Sequence, residues 1–102
     1  MVTEHLPSYY GQLKMKIELK KFGEILTSRP AGREAYLVMK AYFQPSNPKE
    51  LIELDFSGVK VVTPSWLDEV LFGLKSDFGE RVIILPNDNP TLRESLKFSG
   101  PD

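Results

Sequence analysis

A chain of 102 residues that is 41% hydrophobic and 26% charged has the length and composition of one globular domain with a single core. With 13 basic and 14 acidic side chains the net charge is -1, so no whole-chain field draws in nucleic acid and any partner must be met through local surface. The absence of cysteine excludes disulfides, thiolate nucleophiles and cysteine-ligated metals and fits a reducing cytoplasm. The apolar run Val82 to Leu85 is far below the roughly 18 residues of a membrane span.

Residues 1–12 mix Pro7, Ser8, Gly11 and two tyrosines without a period, which reads as an irregular N-terminal arm. They lack the basic start and apolar block of a secretion signal. From residue 13 strict alternation begins, with Leu13, Met15, Ile17 and Leu19 on one side and lysines and Glu18 on the other, the pattern of a strand with one wet face. Lys20 to Gly23 reads as a turn and Ile25 to Thr27 as a short second strand. Ser28-Arg-Pro-Ala-Gly32 is a helix entrance, with a capping candidate and a proline near the first helical position. Ala31, Ala35, Val38, Met39 and Tyr42, extended by Phe43, then recur at helical spacing and predict a buried stripe. Gln44 to Pro48 stops that helix.

Leu51 to Phe56 is the next strand, punctuated by Ser57-Gly58 before Val59 to Val62 runs on. Thr63 is a natural cap and Pro64 fits the first position of a second helix. At about 100° per residue, Trp66, Leu67, Val70, Leu71, Leu74 and Phe78 share one side, while Ser65, Asp68, Glu69, Phe72 and Ser76 share the other. Phe72 is an aromatic on the predicted water face. Val82 to Leu85 lacks alternation, as expected of a strand covered on both faces beside a parallel neighbour. Asn89 then caps a last helix that starts at Pro90 and docks through Leu92 and Leu96. Helices interleaved with strands predict a single α/β domain over residues 13–98, with a four-stranded, mostly parallel or mixed sheet, about three helices and a tail at 99–102.

Leu54-Asp-Phe-Ser-Gly-Val59 followed by Val62-Thr-Pro-Ser-Trp-Leu-Asp-Glu69 resembles the central signature of the STAS-like domains, relatives of bacterial anti-sigma-factor antagonists. Lys21 to Gly32 and Leu85 to Pro90 are similar to the prokaryotic STAS-like family of uncharacterised function. In the antagonists a strand reading Asp-Leu-Ser-x-Val leads to a helix starting Asp-Ser-Ser-Gly or Asp-Ser-Thr-Gly, whose second hydroxyl a partner kinase phosphorylates. The resemblance implies Ser65 as the phosphoacceptor and a histidine-kinase-like ATPase of the anti-sigma type as partner. This chain departs from the pattern at Thr63, where the antagonists have aspartate, and at Trp66, where they have glycine. Thr63 can cap as aspartate does; the indole bears on recognition by a kinase.

The expected role is therefore a cytoplasmic regulatory protein-interaction module, switched by phosphate at Ser65 and docking through Thr63, Asp68, Glu69, Phe72 and Ser76. A plainer reading of Ser65 is a serine that satisfies a free N–H in a first helical turn. The alternative role is a non-switching scaffold or self-associating subunit. No enzyme is expected: a Ser65, His5, Asp68 arrangement would draw its histidine from the arm, and Gly23, Gly32 and Gly58 read as separate turn glycines rather than a phosphate-cradling loop. No cofactor or metal is implied, because one histidine and scattered carboxylates lack ligand spacing, and Asn87-Asp-Asn89 lacks the rest of a calcium loop. A nucleic-acid platform of Lys14, Lys16, Lys20 and Lys21 with Tyr9, Tyr10 and Phe22 competes with the plainer use of edge-strand lysines against aggregation.

Overall fold

Two local interruptions organise the sheet. In the computed structural model, which describes residues 13–45 and 47–98, β1 (Lys14–Glu18) ends in a 3-10 turn at Leu19–Phe22 before β2 (Ile25–Leu26). The strand β3 (Leu51–Asp55) likewise breaks before β4 (Val61–Val62). Helix α1 (Arg29–Tyr42) links β2 to β3, α2 (Pro64–Phe78) links β4 to β5 (Val82–Ile84) through a second 3-10 turn, and α3 (Pro90–Phe98) follows. The expected arm at 1–12 and tail at 99–102 lie outside the described residues.

The four-stranded sheet is corrected to five strands in two parallel sheets, one ordered β1-β3-β5 and one pairing β2 with β4. The cause is visible in the turn after β3. The Asp55 carboxylate accepts from the Ser57 N–H at 2.9 Å, Val59 N–H returns to Phe56 C=O at 3.0 Å, and Gly58 adopts φ +87°. A Cβ at Gly58 would stand 2.5 Å from Lys20, in the turn that ends β1. The neighbouring strands are thus broken side by side, and their continuations pair separately.

Alternation then sorts the faces. Ile17, Ile52 and Leu54 are buried with Trp66, Leu67, Val70, Leu71 and Leu74 in one core. On the outer face Lys14 meets Glu53 at 3.8 Å and Lys16 meets Asp55 at 3.7 Å. Leu13, expected inside, precedes the strand and is exposed. So is Ile83: β5 is an edge strand open on one face, not covered on both.

The buried side of α1 also differs from the predicted stripe. Gly32, Ala35 and Met39 are buried and Tyr36 and Phe43 half-buried, while Ala31, Val38 and Tyr42 face water. Gly32 is no turn glycine; it is the crossing point of two helices, where a Cβ would lie 2.5 Å from the Trp66 carbonyl oxygen. Gly73 of α2 makes similar room for the Tyr36 ring. The close approach these glycines permit decides which side of α1 turns inward.

In α3 the capping prediction holds: Asn89 Oδ1 accepts from the N–H groups of Thr91 and Leu92 at 2.8 and 3.2 Å. Leu92 is buried, but Leu96 is exposed and Ser95 takes its place inside. Ser95 Oγ donates to the Val62 carbonyl at 2.8 Å and Val62 N–H donates to Thr91 Oγ1 at 3.0 Å, so α3 seats itself on β4 by polar contacts that hydropathy does not reveal. Among the described residues no helix is long and apolar enough to cross a membrane, and no cluster of histidine or carboxylates could hold a metal ion.

Candidate docking face on the second helix

The junction between β4 and α2 is built from Val62, Thr63 and Pro64. Thr63 is extended at φ -101° and ψ 158°, and its carbonyl accepts the first helical bond from Leu67 N–H at 3.0 Å. Pro64 follows at the first position, where a missing N–H costs nothing. The Thr63 side chain, however, does not cap the helix: its Oγ1 is buried and has no hydrogen-bond partner. By contrast Ser28 Oγ accepts from Ala31 N–H at 3.2 Å to cap α1, with Ser28 itself at φ +79°, and Asn89 caps α3. Helix α2 thus starts without a side-chain cap, directly beneath Ser65.

Ser65 is half-buried in the first turn, and Trp66 is turned into the core as predicted. Along the outward side come Asp68 and Glu69, both half-buried, then Phe72 and Ser76, both exposed. Phe72 is 74% exposed, so the predicted misfit is real.

One residue of this face was missed. Arg29, at the first turn of α1, places Nη1 3.0 Å from Asp68 Oδ2 and 2.9 Å from Glu69 Oε2. Hydrogen bonds to Glu69 and then Asp68 raise the guanidinium pKa above its ordinary value. A cation is out of place at a helix N-terminus, where the dipole is positive, and these two carboxylates offset it. Nothing in the sequence couples positions about forty residues apart. The acidic rim expected around Phe72 is accordingly half-neutralised.

Other predicted groups do not converge here. His5, Tyr9 and Tyr10 lie outside the described residues. Asn87 Oδ1 accepts from Asn89 N–H at 2.8 Å, and Asn89 Nδ2 donates to Val59 C=O at 2.7 Å, so the asparagine loop is committed to turn and cap. A shallow groove between β4, α2 and α3, bordered by Thr63, Pro64, Thr91 and Glu94, opens beside the junction.

The architecture is thus an α/β domain with parallel ladders, three helices and a strand-to-helix junction that carries a serine. The family described as STAS-like domain of unknown function (DUF4325) matches residues 40–99, from the last turn of α1 through α3, and the chain belongs to this family. Comparisons with curated proteins and with solved structures gave no match.

Proposed function

We propose that this STAS-like domain is a cytoplasmic regulatory protein-interaction module, not an enzyme, and that its partner docks on the outward side of α2. The observation that carries this reading is Phe72, 74% exposed at the middle of a rigid helix whose other large apolar side chains are buried or half-buried. An aromatic anchor rimmed by Asp68, Glu69 and Ser76 has the makeup of a small interface centre. With Arg29 bridging both carboxylates, the rim carries about one negative charge rather than two.

In this reading Ser65 is the phosphoacceptor. A phosphate there would add about -1.5 to -2 charges beside an uncapped helix start, which favours an anion. One turn further on it would meet Asp68 and Glu69 and compete with them for Arg29. The recharged face would reject an acidic partner surface. By resemblance to the anti-sigma-factor antagonists, the partner is a histidine-kinase-like ATPase. Phe72→Ala is expected to weaken capture of that ATPase by about tenfold or more while leaving the thermal midpoint nearly unchanged. A large fall in the midpoint would make Phe72 structural and remove the docking face. Incubation with an active cognate kinase and ATP should add one phosphate's mass at Ser65; no mass change would leave a module without the switch.

A further inference from the structure

The reach of Arg29 is set by how α1 and α2 lie together. Gly32 stands against the Trp66 backbone and the Tyr36 ring against Gly73, so the two helices run side by side in the same direction. Arg29 comes three residues before Gly32 and therefore leaves the backbone level with the start of α2. Its side chain has to pass the first turn of α2 to put Nη1 3.0 Å from Asp68 Oδ2 and 2.9 Å from Glu69 Oε2. Ser65 precedes those carboxylates by three and four residues, so all three share one side of α2 with Cβ atoms about 5–6 Å apart. The guanidinium thus lies within reach of a phosphate on Ser65.

Two features set Arg29 apart from an ordinary surface ion pair. Both carboxylates are met through Nη1 alone; among the described residues Nε and Nη2 make no hydrogen bond or ion pair, and the side chain is 54% exposed. That open Nε–Nη2 edge is the fork that fits two phosphate oxygens at once. The second feature is Ser28, immediately before it, which is held at φ +79° and ψ 146°, backbone that favours glycine, while its Oγ caps Ala31 N–H. Strain of this kind persists where surrounding contacts over-determine it, and it gathers at ligand clamps and switches. Here it fixes the point at which Arg29 leaves the chain.

We propose that Arg29 receives the phosphate of Ser65: its open edge takes the phosphate oxygens, and Asp68 and Glu69 lose the cation they share. The pairing rests on the reading of Ser65 as phosphoacceptor and adds how the charge is passed on. Exposed contacts from one nitrogen to two carboxylates are weak, whereas a phosphate held by both arms of the fork is charge-assisted twice, so the exchange runs toward the phosphate. Before modification, Arg29 leaves the rim of Phe72 with about one negative charge; afterwards both carboxylates stand uncovered beside the aromatic ring. The signal reaches the docking face by the transfer of one cation along a single helical turn.

Phosphoserine installed at position 65 of the full chain during its synthesis tests this without any kinase. The second pKa of the phosphate, read by phosphorus NMR, should rise by about one pH unit or more in Arg29→Ala, because Asp68 and Glu69 then face it with no cation between. Arg29→Gln, which keeps the length of the side chain, should do the same, and Arg29→Lys should recover part of the shift. In the parent, the Arg29 Nε–H should exchange with water more slowly once the phosphate is present. A phosphate that titrates alike in the parent and in the neutral variants, all folded by circular dichroism, or an Nε–H indifferent to the phosphate, would overturn the proposal. An active kinase that leaves Ser65 unmodified would instead remove the switch of the proposed function, which the installed phosphoserine does not depend on.

Discussion

Asp55 and Thr63 stand eight positions apart in the strand-to-helix signature and are opposite cases of a polar side chain. The Asp55 carboxylate is held below its ordinary pKa, first by the Ser57 N–H and then by the Ser57 hydroxyl, with Lys16 adding a smaller part. A lowered folded-state pKa stabilises the protein at pH values above the unfolded value of about 4, and that contribution disappears as pH falls through the folded value. Asp55→Asn keeps an oxygen for the turn but loses the charge. It should therefore be less stable than the parent at pH 7, with the gap closing below about pH 4 in denaturant titrations across pH. Thr63 is the reverse, since its buried hydroxyl has no partner. Thr63→Val keeps shape and β-branching and removes that desolvated oxygen, so urea denaturation should show a gain of about 1 kcal/mol. A loss would mean that the hydroxyl is satisfied in solution. Sequence reading placed Thr63 correctly at the helix start but could not tell which way its side chain turns, because that depends on what packs above it.

At the scale of elements, helix placement was legible and helix rotation was not. Proline in the first turn, after a serine or asparagine cap, located α1 and α3, and Thr63-Pro64 located α2. Which side of α1 is buried was decided by Gly32, whose missing side chain lets backbone approach backbone at Trp66. Gly32→Ala tests this with opposing terms. Helix propensity favours alanine by about 1 kcal/mol, whereas a Cβ overlapping the Trp66 backbone costs about 1–3 kcal/mol, so a net loss in thermal stability is expected. Gly73→Ala should cost less, because there the obstacle is the Tyr36 ring rather than backbone. In α3, Asn89→Ala should cost about 2 kcal/mol, the upper end for a cap, because the same side chain also ties Val59 and Lys60.

For the molecule as a whole, charge is balanced and locally paired. The net charge is -1, and Lys14 and Lys16 spend theirs on Glu53 and Asp55 across the ladder. Single-stranded nucleic acid should therefore show no affinity with the steep fall between low and physiological salt that phosphate contacts cause; fluorescence anisotropy over a salt series checks this. Large exposed apolar side chains stand at Phe72 on α2 and, with Ile25, on the outer face of α1. The first was legible because α2 keeps a clean helical period and Phe72 breaks it. The second was not, since α1 is apolar on two sides and its period alone points to either.

The chain by itself determined the order of strands and helices, the parallel character of the sheet, the position of Ser65 in a first helical turn and the family resemblance, because alternation, helical period, prolines and caps act over a few residues. Tertiary structure alone decided that the strands divide into two sheets, that Arg29 bridges Asp68 and Glu69, and that α1 turns Gly32 inward and leaves Val38 and Tyr42 in water. These outcomes depend on contacts between segments distant in sequence, whose distances are set only when the elements pack.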